Sequence, residues 1–208
     1  MDFFESLPPA RRTDDDAPEP VPPEWLGPPR DVLGGLVALS EPVVRSEHLF
    51  LALRSVTAYR TGLSVDLVLG LRRGDVDQAG WDALCEAFWG ERGIPRRTGP
   101  REGELRLGLE LADGRRTGVL DRSGRFPGTP PEPPVLVALG GGGSGGRSMA
   151  DKRMTLWIWP LPEGAAISLV VQWPELDLPL TYHRIDLAPV EEAVARARDY
   201  WPATGAGA

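Results

Sequence analysis

The chain has one cysteine (Cys85), two histidines (His48 and His183), one lysine and no asparagine among its 208 residues. A single cysteine forms no internal disulfide and no cysteine-rich zinc site. A reducing cytoplasm is the expected compartment. No apolar run approaches the roughly 20 residues that span a bilayer, so no membrane insertion is expected. The opening stretch, MDFFESLPPARRTDDD, lacks the basic start and apolar run of a secretory signal. Positive charge is not in surplus either. The net charge is −7 and the pI about 5.0, whereas nucleic-acid-binding domains usually exceed a pI of about 9. General nucleic-acid binding is therefore not expected. Arginine replaces lysine almost everywhere, which with abundant Ala, Gly and Pro reflects a GC-rich genome more than a function.

Leu, Ile, Val and Phe make up 52 residues, a quarter of the chain. Disordered chains usually fall below roughly 20%, so this chain can build a core. Gly and Pro together number 47. Their placement decides what they mean. One domain with appended tails fits the length.

Charge and proline are unevenly spread. Residues 1–31 carry a net charge of −5, and residues 91–125 a net of +3. Eight prolines and the triplet Asp14-Asp15-Asp16 fall in residues 1–30. Proline lacks an amide donor and fixes φ, so this segment reads as a disordered, acidic arm. Its apolar spots are Phe3-Phe4 and Trp25-Leu26. Two readings follow: a solvated tail with Trp25 packed on the domain edge, or a short motif that docks on a partner.

Residues 31–202 read as the folded domain, and 203–208 as a loose tail. Leu36–Val44 and His48–Tyr59 read as strands. Leu63, Val65, Leu67, Leu69 and Leu71 alternate with other residues, the period of a half-buried strand. Trp81, Leu84, Cys85 and Phe88 then fall on one face of a helix at about 77–89, with Asp77 as cap and Gly90 as stop. Cys85 on that face reads as a small buried hydrophobe rather than a nucleophile. Leu105 to Leu111 is another alternating strand. A three-residue loop, Ala112-Asp113-Gly114, would set Leu109 opposite Thr117 and keep apolar faces together. Val135–Leu139, Met154–Trp159, Ala165–Trp173 and Leu178–Leu187 complete the strands. A helix at about 188–201 follows, with Asp186 as cap, Pro189 in the first turn, and Val190, Ala193, Val194, Ala197 and Trp201 as its buried stripe. Helices rarely separate the strands, so the expected fold is mostly β. It is an antiparallel β-sandwich, loosely immunoglobulin-like, with one inserted and one C-terminal helix.

Few constellations carry chemistry. Gly141 to Ser148 spells G-x-x-x-x-G-R-S after an apolar strand, close to a phosphate-binding loop. Arg147 stands where that loop needs lysine, and the following residues are poor helix formers. A flexible connection is the plain reading. An anion-binding rim of Gly141, Gly143, Gly145, Gly146 and Arg147 is the functional one. Arg96, Arg97, Arg115 and Arg116 could form a basic patch suited to carboxylates or phosphates; a solvated, partly paired rim is the plain alternative. Trp157 and Trp159 share one face of a strand, as core or as an exposed platform. His183 and Asp186 are three apart in a strand and so face opposite ways. No catalytic residue, metal ligand or cofactor is called for.

The Gly-rich run, W-I-W-P-L-P-E-G, V-V-Q-W-P-E-L-D-L-P, I-D-L-A-P-V and a terminal A-R-x-Y-W together resemble uncharacterised actinobacterial proteins with a W-x-W-P motif. P-P-E-W-L-G-P-P is similar to theirs as well. The resemblance spans about residues 22–202. It implies a native Gly-rich run and a bacterial cytoplasmic setting, and it brings no activity. The expectation is therefore a non-catalytic protein-protein interaction module whose partner is another protein, self-association included. Docking would fall on Phe3, Phe4, Trp25, Leu26 and the arginines. A small-ligand or anion-binding protein, or an enzyme, built on residues 140–146 is the alternative.

Overall fold

A computed structural model describes residues 21–90, 103–120 and 129–201. The large antiparallel sheet runs in the order β2 (Gly35–Arg45), β3 (Leu49–Ala58), β4 (Leu63–Arg72), β9 (Met149–Trp159) and β7 (Val135–Gly140). A short strand, β8 (Gly143–Gly145), also pairs with β9. The small antiparallel sheet runs β11 (Leu178–Asp186), β10 (Ala166–Trp173), β5 (Arg106–Glu110) and β6 (Arg116–Gly118). The alternating leucines explain the arrangement. Leu51, Leu53, Leu67 and Leu69 of the large sheet share one buried cluster with Leu169 and Val171 of the small one. Two antiparallel sheets thus face each other across a common core, the sandwich that the alternation implied.

The sheets are also linked along their sides. Beyond β6, Val119 bridges Leu136 of β7 in parallel, and the Leu120 amide donates to the Leu136 carbonyl at 2.7 Å. At the opposite side, edge strands β2 and β11 meet through Glu41 and His183, 3.0 Å apart. The result is a roll with its seam between β2 and β11.

The helix α1 (Gln78–Trp89) packs into this core. Asp77 caps it by accepting from the Gly80 amide at 2.8 Å, and Gly90 ends it at φ 64°. Trp81 and Phe88 are buried. Phe88 stacks on Trp173 of β10, with centroids 5.8 Å apart and planes at 15°. Such a pair contributes about 0.5–1.5 kcal/mol beyond its burial. The β5–β6 hairpin has the expected three-residue loop. Leu109 faces Thr117, Glu110 faces Arg116, and Gly114 is left-handed at φ 85°.

Three expectations are corrected. Helix α2 spans Ala188–Arg196 and stops five residues short of 201. The next residues form β12 (Arg198–Asp199), which pairs with β1 (Val32–Leu33). Ladder pairing there outcompetes another helical turn, and Trp201, expected in the buried stripe, is 74% exposed. Strand β9 begins at Met149 rather than Met154, because β4 pairs with it down to Met149 and the glycines of β8 pair with Ala150–Lys152 on its other side. The third correction moves the domain's N-terminal edge. Trp25 and Leu26, placed in the arm by their prolines, are buried in a second cluster with Val135, Val137 and Trp157. The Trp157 indole donates to the Glu24 carbonyl at 2.9 Å. Trp157 therefore lies on the outer face of the large sheet, under a cover supplied by the chain itself. Trp25 and Leu26 serve the fold and are not free anchors for a partner.

Candidate interaction surface

The terminal ladder gathers exposed apolar side chains. In β2, Val37 and Leu39 turn inward, which turns Leu36 outward. Leu36 is 58% exposed, Leu33 of β1 60%, and Tyr200, just past β12, 53%. The Tyr200 amide donates to the Asp31 carbonyl at 2.7 Å and so extends the ladder. Trp201 follows directly. Helix α2 lies close against this region. A Cβ at Gly35 would stand 1.8 Å from the Ala193 carbonyl oxygen, so only glycine permits the approach. At the end of α2 the Arg196 guanidinium donates to the Leu36 carbonyl at 3.1 Å and pairs with Glu192 at 3.8 Å. Arg198 lies opposite Leu33. The patch is thus apolar, aromatic and fringed by two arginines.

Tyr59 lies between the buried N-terminal segment and Tyr200. Tyr59 meets Trp157 edge-on at 5.7 Å. Burial raises the Tyr59 phenol above its ordinary value, and the nearby Tyr200 and Asp66 add to the effect. Asp66 itself accepts from Ser55 at 3.0 Å and Thr155 at 2.7 Å. One carboxylate accepts from two hydroxyls, and the cluster ties three strands together.

The Gly-rich run is built into a hairpin. Gly143, Ser144 and Gly145 pair with Lys152, Asp151 and Ala150. The Arg153 amide donates to Gly142. Glycine is needed for close packing: a Cβ at Gly141 would meet the Arg153 carbonyl at 1.8 Å, and one at Gly143 the Trp89 ring at 2.8 Å. A strand follows where a phosphate loop opens a helix. Ser144 donates to the Asp151 carboxylate at 2.5 Å, which sets negative charge beside the run, and Arg147 is exposed.

Of the four arginines expected to form a basic patch, Arg115 and Arg116 are described. Arg115 pairs with Asp113 at 2.7 Å and Arg116 with Glu110 at 2.6 Å, both within their own hairpin. Hydrogen bonds from the Arg115 backbone and side chain hold the Asp113 carboxyl below its usual range. Phe3, Phe4, Arg96 and Arg97 lie outside the described residues. Burial, with Asp82 nearby, raises the Cys85 thiol, the reverse of an activated cysteine. Among the described residues no group of acidic, histidine and cysteine side chains could hold a metal.

Two clefts adjoin the W-P-L-P-E-G loop. One, of about 510 Å³, is lined by Leu111, Asp113, Arg115, Pro134, Pro160 and Glu163 among others. The second, of about 340 Å³, shares Leu161, Pro162 and Gly164 and extends to Asp186 and Val190. Sequence reasoning missed the terminal patch, although the outward place of Leu36 between inward valine and leucine was a usable signal. It also missed Glu41 as the partner of His183, because 142 residues separate them. No family model, curated protein or solved structure matches this chain.

Proposed function

We propose that the protein is a non-catalytic interaction module that binds another protein through its terminal ladder. The observation that carries this reading is the exposure of Leu33, Leu36, Tyr200 and Trp201 at and beside the β1–β12 ladder. Contiguous apolar surface rimmed by polar groups marks interaction sites, and Tyr and Trp are favoured anchors there. The partner chemistry that fits is an apolar segment with a carboxylate for Arg196 or Arg198. The test places a photocrosslinking residue at position 36 or 201 and, as control, at Arg54 on β3. Lysate of the source organism is the bait mixture. A single partner crosslinked from 36 and 201 alone, and lost in Leu36→Ser/Trp201→Ser, supports the reading. Capture of the same partner by that double variant overturns it.

The second reading is a small-ligand or anion-binding protein. The paired clefts around residues 160–164 favour it, with Arg115 as the cation in the larger one. A ligand at a hundred times its dissociation constant adds about 2.7 kcal/mol of stability. A melting screen of nucleotides, phosphate and carboxylic acids that shows no shift removes this reading.

A further inference from the structure

The outer face of the small sheet carries a trough with a charged rim. Gly118, Gly108, Val170 and Tyr182 stand side by side across β6, β5, β10 and β11. The two glycines leave a depression, and the half-exposed Tyr182 closes its far end. Two residues along each strand lies a second row, Arg116, Glu110, Ser168 and Arg184. Arg106, paired with Gln172, lies on the other side of the trough. Arg106 and Glu110 are four residues apart in β5, about 13 Å, wide enough to seat an extended chain.

The charge of this face is unbalanced. Arg116 already holds Glu110. Asp186, at the end of β11, accepts from the Ala188 amide at 3.0 Å and is spent on the start of α2. Arg106 reaches only the neutral Gln172, at 3.5 Å. Neither Arg106 nor Arg184 has a carboxylate partner among the described residues. Two guanidinium forks thus face solvent across a trough, on a chain of net charge −7.

The chain itself supplies the matching charge. Asp14, Asp15 and Asp16 precede Val21, where the described chain begins, by five to seven residues. Four residues further, Trp25 and Leu26 pack in a cluster that includes Leu120, two residues past the end of β6. Leu120 thus links the root of the N-terminal segment, which covers the outer face of the large sheet, to the β6 edge of the small sheet. Four adjacent strands span about 14 Å. Five to seven residues of proline-containing chain reach about 16–22 Å. The charge matches, and the segment is long enough to cross the width of the sheet.

We propose that the acidic segment Asp14–Glu19 docks in this trough, with its aspartates on Arg106 and Arg184. The small sheet's outer face is then a self-occupied acidic-peptide site, independent of the terminal ladder.

The test uses the full-length chain with Cys85→Ser and a nitroxide on Ala17→Cys. The amide signals of Gly108, Val170 and Tyr182 should be lost selectively. They should return in 1 M salt, where the screening length falls from about 10 Å at 0.1 M to about 3 Å. Arg106→Glu/Arg184→Glu should also restore them. Adding Asp14→Lys, Asp15→Lys and Asp16→Lys to that variant should bring the loss back. In the unlabelled chain, trypsin should cut after Arg12 faster in Arg106→Glu/Arg184→Glu than in the parent. Unchanged signals at these three amides overturn the proposal. So does a loss that persists after charge reversal, or one transmitted between molecules in a mixture of labelled and isotope-enriched chains, which would make a second copy the occupant.

Discussion

The imidazole of His183 stands 3.0 Å from the Glu41 carboxylate and joins the strands at the two outer ends of the linked sheets. Glu41 lies opposite Leu53 and His183 opposite Leu169, so both point toward the interior. An inward charged residue on an edge strand discourages pairing with another chain, and the partner keeps that charge from being stranded. Pro42 and the left-handed Ser40 (φ 58°) interrupt the same edge.

Removing one partner of this pair should cost more than removing both. Because Glu41 is nearly half exposed, His183→Ala should cost about 1 kcal/mol, below the usual 1.5–3 for a charged hydrogen bond. The double variant with Glu41→Ala should recover part of the loss, as urea unfolding would read. Strict additivity would mean that the seam is held by neighbouring apolar contacts instead.

Phe88 and Trp173 should respond differently. Phe88→Ala opens the core between α1 and β10 and should cost about 3–5 kcal/mol. The buried Trp173 indole N–H has no hydrogen-bond partner among the described residues, and carrying such a group costs about 1–3 kcal/mol. Trp173→Phe should therefore be much milder than a loss of ring volume suggests. Thermal melts of the two variants check this; equal destabilisation would show that the indole N–H carries no penalty.

The glycine run should be sensitive at some positions and not at others. Gly141→Ala forces a Cβ onto the Arg153 carbonyl and should cost about 1–3 kcal/mol. Gly142 meets nothing within 4 Å, and Gly142→Ala should stay within about 0.5 kcal/mol. An anion-binding role for the amides would instead couple both variants to loss of anion-induced stabilisation.

Lys152 gives a pH signature. It lies on the inner-face row of β9, opposite Leu69, and burial lowers its amine below the ordinary lysine value. The unfolded chain therefore binds a proton that the folded chain resists. Stability from this residue should rise as pH climbs through the folded-state value toward that of free lysine. Lys152→Met should melt higher at pH 7, and the gain should shrink at alkaline pH. A gain that is constant with pH would trace to packing alone.

The strands were legible because leucine alternation is a local signal. Leu63 to Leu71 and Leu105 to Leu111 declare their buried faces without help from the rest of the chain. The Asp77 cap and the Gly114 turn are equally local. What could not be read depends on distant partners. Arg198-Asp199 looks like the last turn of a helix until Val32-Leu33 is beside it. That Trp25 packs on the domain was legible, but its partners Trp157 and Val137, more than a hundred residues away, were not. The terminal ladder was hidden for the same reason, since Leu33 comes to lie opposite Arg198 only after the chain has closed on itself. The glycine run also owes its small residues to a distant partner. Its short motif matched a phosphate loop, while the packing of Trp89 against Gly143 and Gly145 accounts for the small residues.

The pairing of β1 with β12 also fixes how the protein answers to pulling. Val32 lies opposite Asp199, and the Tyr200–Asp31 hydrogen bond sits at the outer end of that ladder. Tension applied through residues 31 and 200 would load these bonds one after another, as in a zipper, rather than together in shear. The tether should give way at low force while the roll stays intact. With it would go the alignment of Leu33, Tyr200 and Trp201, so that stretching the chain would dismantle the patch before it unfolds the domain.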